Sequence, residues 1–317
     1  MKKNYLEILF RIHMSGVPIT LRSVPSKLLV KKMNIVESLV HFKGENIYSY
    51  GASCISKDIA HAKCVAETIE RLFIPHFEEG GVGVDFDKER ACFTALYELV
   101  ERDAFMPYFL VNGLPIRLIN PSIIKLELYK YGISNILRES SYMFFDITND
   151  LGIPSIVACI KDKKSSSFGV GIKSNGNPKS AILGAFEEAL LGIALRKSGG
   201  NTKKPDNFHL FSMSRFKSIF LTGDPHITCR LPENVAFQNI KSAISYLNTK
   251  KHSFTTNELA PRLLKNTNYH VIRISSRTLQ KVFFSEERKN INKKRLENIE
   301  RYYTIMKQNY EKNSALI

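Results

Sequence analysis

The chain has 317 residues, 44% hydrophobic and 24% charged, which allows a sizeable core and excludes a protein that is disordered or fibrous throughout. No apolar run is long enough to span a bilayer, and Glu7 and Arg11 interrupt the apolar N-terminal stretch, so we expect a cytoplasmic protein without a signal peptide. The net charge of +16 fits either a polyanionic partner or lysines scattered over the surface, and no helix-turn-helix, zinc-finger or RRM signature favours nucleic acid.

The first half of the chain is predicted to alternate short strands with strong helices. Ser56 is placed to cap the first of these helices, and Pro107 is expected to stop the second. The predicted elements are strands over Ile35–Val40 and Ile47–Tyr50, a small-residue loop over Gly51–Asp58, a helix over Ile59–Phe73, a glycine-rich turn over Gly80–Val84, a helix over Lys88–Phe105 and a helix over Ile123–Arg138.

The second half continues this alternation and ends in a basic amphipathic helix. The segment Ser174–Pro178 is expected to cap a third strong helix. The predicted elements are strands over Tyr142–Ile147, Ser155–Ile160 and Phe168–Ile172, a helix over Lys179–Arg196, a loop over Lys197–Asp206, a helix over Val235–Leu247, a strand over Tyr269–Ile274 and a tail helix over Arg288–Tyr310. The tail carries an apolar side formed by Leu296, Ile299, Tyr302, Tyr303 and Met306, which predicts packing against the body, with a nucleic-acid-binding arm as the alternative.

Two of the strong helices carry the same pattern, Ala-x6-Glu-x-x-Glu-Arg, at a constant offset. The two copies end in Glu67, Glu70 and Arg71 and in Glu98, Glu101 and Arg102. Residues three apart lie on one helix face, so each glutamate pair can hold a hard cation through oxygen ligands. The alternative is a solvated helix face with local Glu–Arg pairs. The arginines would either brace the carboxylates or reach phosphate oxygens.

The third strong helix adds Glu187 and Glu188. Helix N-termini attract phosphate, so the turns before the first and third helices supply candidate phosphate contacts. These candidates are Ser53, Ser56, Lys57, Lys173, Ser174 and Asn175. The chain has no P-loop motif, and its five cysteines form no CxxC pair, which predicts buried structural thiols rather than disulfides or a zinc site.

With these segments the chain resembles the YcaO family over roughly Ser49–Glu287. The similar segments keep the order of the family, and the second, which contains ELVERD, is the most specific: Tyr50–Arg71, Gly81–Phe105, Phe145–Ile160, Gly169–Leu190 and Tyr269–Phe284. The resemblance implies one α/β (α+β) domain with mixed sheets and three glutamate-bearing helices around a nucleotide site. Residues 51–287 would form this core, 1–50 a sheet-edge segment of the same domain and 288–317 the basic helix.

The resemblance also implies an ATP- and Mg²⁺-dependent enzyme that phosphorylates the oxygen of a peptide backbone amide. Attack by a Cys, Ser or Thr side chain then gives an azoline on a ribosomally synthesised precursor peptide, whereas sulfide gives a thioamide and an amine an amidine. The resemblance and the candidates named above together give the residues that we expect to contact ATP: Ser56, Lys57, Glu67, Glu70, Arg71, Glu98, Glu101, Arg102, Glu188 and Arg273. The expected Mg²⁺ ligands are Glu67, Glu70, Glu98 and Glu101, and no catalytic acid or base is singled out.

The chain departs from the family pattern at several positions. Lys63 stands where serine is common, Leu191 where glutamine is usual and Arg277 near a usual proline, and Asn313–Ile317 is not the proline-rich tail of the azoline-forming branch. Azoline formation is therefore the first expectation, with thioamidation or a non-catalytic scaffold of a modification complex as alternatives. We expect a precursor peptide or protein as substrate and a separate E1-like or TfuA-like partner, with a homodimer as an open alternative and no membrane or nucleic acid partner.

Overall fold

The structure, a computed structural model, describes residues 18–23, 33–42, 44–73, 80–111, 114–165, 167–197, 219–222, 227–259, 269–280 and 291–314. Within these ranges the chain forms three β-sheets and seven helices, which confirms the mixed α/β class. No helix among the described residues is long and apolar enough to cross a membrane.

The elements are numbered in chain order. The strands are β1 (Ile19–Ser23), β2 (Asn34–Phe42), β3 (Glu45–Ser53), β4 (Gly81–Asp85), β5 (Arg117–Ile119), β6 (Ser140–Asp146), β7 (Ser155–Asp162), β8 (Phe168–Ser174), β9 (Ile227–Cys229), β10 (Thr255–Leu259) and β11 (His270–Ser275). The helices are α1 (Lys57–Phe73), α2 (Lys88–Leu110), α3 (Pro121–Tyr129), α4 (Ser134–Glu139), α5 (Pro178–Lys197), α6 (Ile240–Thr249) and α7 (Lys293–Ser314).

The three sheets have the strand orders β1-β2-β3, β10-β11-β4 and β8-β7-β6-β5-β9. Helix α1 lies between the first two sheets, where its Ile69 packs with Val40 of β2 and Val82 of β4. Helix α2 covers the opposite face of the second sheet, where Leu96 packs with Ile272. Helix α5 packs on the third sheet. Each glutamate-bearing helix therefore rests on a strand that precedes it, which gives three strand–helix units: β3 with α1, β4 with α2 and β8 with α5.

Glycines on β4 and β8 let the helices lie very close to their strands. A Cβ atom on Gly81 would stand 1.9 Å from the carbonyl oxygen of Ala95 in α2, and one on Gly171 would stand 2.1 Å from that of Ala185 in α5. Only glycine permits this approach. The turn predicted over Gly80–Val84 is wrong, because its glycines serve packing and the segment from Gly81 is a strand.

Two helix predictions are wrong because tertiary packing and backbone conformation override local signals. Helix α2 continues through Pro107 to Leu110, since Phe105 and Tyr108 beside the proline are buried in the core. The single helix predicted over Ile123–Arg138 is α3 and α4, separated by Gly132, whose φ of 66° ends the first helix.

Other predictions hold apart from small shifts at the element ends. The Ser56 hydroxyl accepts the N–H of Ile59 at 3.2 Å, which confirms Ser56 as the cap of α1. Helix α6 begins at Ile240 rather than Val235, because Asn239 caps it. The tail helix packs against the body through its predicted apolar side, where Ile299 and Tyr303 are buried. Apart from Lys197, the predicted loop over Lys197–Asp206 lies outside the described residues.

The cysteines agree with the prediction of structural thiols. All five are free, four are buried and Cys229 is half-buried. Burial raises the pKa of the Cys64 thiol to about 11 and that of Cys54 to about 12, so both thiols are protonated at neutral pH.

Candidate functional site

The three strand–helix units bring five glutamates into one electrostatic cluster. These carboxylates, here called the carboxylate cluster, are Glu67 and Glu70 from α1, Glu98 and Glu101 from α2 and Glu188 from α5. Burial and then the negative charges of Glu67 and Glu98 raise the pKa of Glu70, and burial and then the charge of Glu101 raise the pKa of Glu188. The two glutamate pairs predicted from the sequence repeat therefore interact with each other and with the third acidic helix.

Two of the carboxylates accept backbone hydrogen bonds from the strand of their own unit. A carboxylate oxygen of Glu98 accepts the N–H of Val82 in β4 at 2.5 Å, and one of Glu188 accepts the N–H of Ile172 in β8 at 3.0 Å. In both units the donor lies 16 residues before the glutamate. The strand backbone thus holds each carboxylate in place, a contact that side-chain identity in the sequence does not reveal.

The arginines of the repeat brace the carboxylates. Arg71 donates from Nε to Glu67 at 2.7 Å and from Nη1 to the carbonyl of Tyr48 in β3 at 2.9 Å. Arg102 repeats this arrangement, with an ion pair to Glu98 and a bond from Nη1 to the carbonyl of Gly80 at 2.6 Å. Of the two roles left open by the sequence, the structure therefore gives both arginines the bracing contact.

Glu101 reaches across from α2 to the end of β8. Its Oε2 accepts the N–H of Ser174 at 3.2 Å and lies 3.5 Å from Nζ of Lys173. The charge of Glu101 is the largest cause that raises the pKa of Lys173 above its usual value, followed among the favourable causes by Glu188 and Glu98. Lys173 therefore carries a positive charge at neutral pH in the middle of the carboxylate cluster.

Glu70 differs from its neighbours because it makes no hydrogen bond or ion pair with any residue that the structure describes. Its side chain is half-buried. Burial, and then the charges of Glu67 and Glu98, raise its pKa well above 4.5. An unpaired carboxylate held beside other carboxylates is destabilised when ionised, and a bound cation would relieve this repulsion.

Glu188 combines exposure to solvent with strong desolvation of its carboxyl. Its side chain is exposed, yet burial by surrounding atoms and the charge of Glu101 raise its pKa to about 7. The carboxyl of Glu188 can therefore be reached by a ligand although its ionised form is partly desolvated. Burial likewise raises the pKa of Glu98, against the opposing effects of Arg102 and the Val82 amide.

The donor set of the carboxylate cluster fits Mg²⁺. Carboxylate oxygens are the protein ligands that this hard cation prefers, and Glu70 offers an oxygen pair that has no partner among the residues the structure describes. Among the described residues, no three His, Cys, Asp or Glu side chains form a ready metal cage. Mg²⁺ commonly completes its coordination shell with phosphate oxygens and water, so the carboxylates need not form a closed cage by themselves.

The remaining candidates lie around the cluster in different settings. Lys57 is exposed in the first turn of α1, beside the capping residue Ser56. Arg273 lies half-buried on β11, opposite Val82 in the β4–β11 register, and forms no hydrogen bond or ion pair within the described part of the chain. Ser53 faces inward, where its hydroxyl accepts the N–H of Ile55 at 3.0 Å.

Two other turn candidates also make internal contacts. Ser174 pairs its hydroxyl with that of Ser155 at 2.6 Å and gives its N–H to Glu101. The side chain of Asn175 accepts the N–H of Asn177 at 2.9 Å. Their polar groups therefore shape the turn before α5.

Two departures from the family pattern have structural explanations. Lys63 of α1 forms an ion pair of 2.6 Å with Glu187 of α5, and the same carboxylate accepts the N–H of Cys54. The two helices are thus joined by a contact that sequence reasoning missed, since the partners lie far apart in the chain. Leu191 is half-buried and packs against the hydrophobic core, which explains an apolar side chain at this position.

Comparisons with known proteins identify the family of the chain. A family model described as YcaO cyclodehydratase, ATP- and Mg²⁺-binding, matches residues 79–249, which is more than half of the chain. The cofactors expected from the sequence, ATP and Mg²⁺, are those of this description. No curated protein sequence matches the chain.

Several solved structures share the fold at low sequence identity. The structure of YcaO from Methanopyrus kandleri bound with AMPPCP and Mg²⁺ is 13% identical, with a TM-score of 0.67 over 92% of this chain and 93% of that chain. A heterocyclase in complex with substrate and cofactor is 13% identical, with a TM-score of 0.60 over 86% of this chain. A chain of the E. coli microcin synthetase McbBCD complex is 13% identical, with a TM-score of 0.53 over 81% of this chain and 86% of that chain. The present chain spans 52% of the heterocyclase chain, and these likenesses show the fold alone.

Proposed function

Because the chain belongs to the YcaO family, we propose that it uses ATP and Mg²⁺ to phosphorylate the oxygen of a peptide backbone amide. The observation that carries this proposal is the carboxylate cluster, in which Glu70 is unpaired among the described residues and three helices direct carboxylates to one place. Carboxylates of this kind bind Mg²⁺, and Mg²⁺ in turn binds the phosphates of ATP.

For this reaction the protein has mainly to position the reactants and to stabilise charge. An amide oxygen is a poor leaving group, and phosphorylation converts it into a good one. The metal neutralises the charge on the transferred phosphoryl group when ATP is bound. The residues of this chain would hold the metal through Glu67, Glu70, Glu98 and Glu101, and Arg273 is the cation we assign to the phosphates.

The product we propose is an azoline on a ribosomally synthesised precursor peptide. A Cys, Ser or Thr hydroxyl or thiol of the peptide attacks the activated amide carbon, and the phosphorylated oxygen leaves as phosphate. Support comes from the family description as a cyclodehydratase, and from similar folds in a heterocyclase with bound substrate and in a microcin synthetase complex. We further propose that a separate E1-like or TfuA-like protein delivers the substrate, and that the net charge of +16 favours an acidic leader segment.

The remaining sequence-based predictions belong to this proposal. Ser56 and Lys57 at the start of α1, Arg71 and Arg102 beside the glutamates, and Glu188 are assigned to the nucleotide site. The division into a core over 51–287, flanked by 1–50 and 288–317, stays a prediction, as do the cytoplasmic location and the homodimer.

Calorimetric titration with ATP tests the nucleotide site directly. We expect binding of ATP to the wild-type protein that requires Mg²⁺, and loss of this binding in Glu70→Gln, which keeps the size of the side chain but removes a charged ligand. Lys164→Met is the matched control, because Lys164 pairs with Glu139 on the surface at 3.0 Å and lies outside the cluster. Binding that is equal in Glu70→Gln and wild type would reject the assigned site.

Mass spectrometry of precursor peptides distinguishes the possible reactions. The candidates are peptides encoded beside the gene for this chain, incubated with ATP, Mg²⁺ and the partner protein. Loss of one water from a peptide supports azoline formation, whereas replacement of oxygen by sulfur would identify thioamidation instead. ATP binding without any change in peptide mass, with all partners present, would favour the scaffold role.

A further inference from the structure

Lys173 is a cation placed inside a site that is proposed to hold a metal cation. Its Nζ atom lies 3.5 Å from Glu101, and it also interacts electrostatically with Glu188, Glu98 and Glu70. The lysine stem crosses α5 at Gly184, where an added Cβ would stand 2.7 Å from Cγ of Lys173. A glycine on the helix therefore leaves room for the lysine to reach the cluster.

Lys173 has no counterpart of the same charge in the second strand–helix unit. Because Val82 and Ile172 make equivalent bonds to Glu98 and Glu188, the next residues on the two strands, Gly83 and Lys173, occupy equivalent positions. The third unit also carries Leu191 where the other helices have their second glutamate. The third unit thus supplies a cation on its strand in place of a second carboxylate on its helix.

Three of the five glutamates in the carboxylate cluster have a cationic partner. Glu67 pairs with Arg71, Glu98 with Arg102 and Glu101 with Lys173. Within the described residues, neither Glu70 nor Glu188 forms an ion pair, so two negative charges remain, the charge that one divalent cation carries. The side chain of Lys173 is 41% exposed, so its ammonium has a route to solvent when a metal ion enters.

We propose that Lys173 is a built-in counter-ion that holds Glu101, Glu98 and Glu188 together before the metal binds and competes with the divalent cation for them. This inference rests on the proposed metal site. The ammonium and a metal ion repel each other at short distance, so the lysine weakens metal binding in the absence of nucleotide. The phosphates of ATP compensate the lysine charge, which makes binding of metal and of nucleotide favour each other.

The test uses Mn²⁺ as the probe, followed by electron paramagnetic resonance without nucleotide, and thermal unfolding in EDTA. Lys173→Met is expected to bind Mn²⁺ about tenfold more tightly than wild type, because one positive charge leaves the site. The same variant is expected to melt at a lower temperature in EDTA, and Mn²⁺ should restore its melting temperature. A purely structural lysine would lower stability without tightening metal binding.

Three further proteins make the result decisive. Lys173→Arg keeps the charge and should bind Mn²⁺ like wild type, and Lys164→Met should also match wild type. Lys173→Gln repeats the test if the methionine variant does not fold. Unchanged or weaker Mn²⁺ binding in the uncharged variants, with clear binding in wild type, overturns the counter-ion role alone. No Mn²⁺ binding to any protein, with or without ATP, overturns the proposed metal site as well.

Discussion

Nε of Arg295 lies 2.9 Å from Oδ1 of Asp103, and both side chains are almost completely buried. The pair joins α7 to α2, the helix that carries Glu98 and Glu101. Asp103 also accepts the N–H of Gln280 at 2.7 Å and the amide of Asn149 at 2.8 Å. Because these bonds satisfy the other acceptor sites of the Asp103 carboxylate, polar groups of the protein stabilise the buried charge pair.

Loss of the arginine charge is expected to destabilise the fold strongly. Arg295→Met leaves the carboxylate of Asp103 buried without its cation, and breaking a buried pair in this way costs about 3–5 kcal/mol. Thermal or urea unfolding measures the loss. Arg90→Met is the control, because Arg90 pairs with Asp85 at the surface, where such pairs contribute about 0–1 kcal/mol. Equal losses in the two variants would contradict the assignment.

A double variant separates charge from packing. Asp103→Leu combined with Arg295→Met replaces the buried pair by apolar groups of similar size. Among the described residues, only Asp150, which also pairs with Arg295 at 2.7 Å and is 27% exposed, then loses its cation. We expect the double variant to be more stable than Arg295→Met alone. Unfolding of the wild type, the two single variants and the double variant measures the coupling free energy between the two side chains. Additive losses would show that the two side chains act independently.

Arg295 also shows what the sequence can and cannot predict. The apolar side of α7, with Ile299 and Tyr303, follows from helical spacing, and the structure buries both. From the sequence alone, an arginine next to that side is expected to be solvated, because its partner Asp103 lies 192 residues earlier in the chain. The same limit applies to Lys63 and Glu187, whose pairing depends on how α1 and α5 meet.

The part of the candidate site that the repeated Glu-x-x-Glu-Arg motif forms could be predicted from the sequence. The Glu-x-x-Glu-Arg copies predicted two equivalent helices, and the structure gives Arg71 and Arg102 the same contacts. The backbone carbonyls of Tyr48 and Gly80 that accept these bonds carry no residue-specific signal, so the sequence could not predict them. The glycines of β4 led to the wrong prediction of a turn, because local propensity does not reveal that a helix packs on the strand.

Glu70 is expected to be needed for function but not for folding. Glu70→Gln removes a raised-pKa carboxylate that has no partner among the described residues, so unfolding should show unchanged or slightly higher stability in EDTA. ATP turnover should be lost, because the amide is a poor Mg²⁺ ligand. A large loss of stability in this variant would indicate a structural role that the contacts of Glu70 do not show.

The close approach of strand and helix predicts a severe effect at Gly171. In Gly171→Ala the new Cβ would stand 2.1 Å from the carbonyl oxygen of Ala185, and a backbone atom cannot move aside without shifting α5. We expect a loss above the typical 1–3 kcal/mol of overpacking, seen as insoluble protein or a much lower melting temperature. Gly44→Ala is the control, because its Cβ would meet no atom within 4 Å and it carries only the cost of the positive φ of 80°, about 1–2 kcal/mol. Equal melting temperatures would contradict the tight packing.

Stability without metal is expected to fall as the pH rises towards neutrality. Burial and the charge of Glu101 raise the pKa of Glu188 from 4.5 to about 7, so the folded protein binds this proton more tightly than the unfolded chain. The stabilisation is complete below about pH 4.5 and is lost as the pH rises to about 7, above which both states are ionised. Raised pKa values at Glu70 and Glu98 act in the same direction.

Melting temperatures measured in EDTA between these pH values check the sign. Wild type should lose more stability over this range than Glu188→Gln, which has no proton to release there, and the difference between the two curves removes the contribution of other titrating groups. Mg²⁺ should flatten the wild-type curve, because the metal stabilises the ionised carboxylates. Parallel curves for the two proteins would show that Glu188 titrates as an ordinary carboxyl and would contradict its raised pKa.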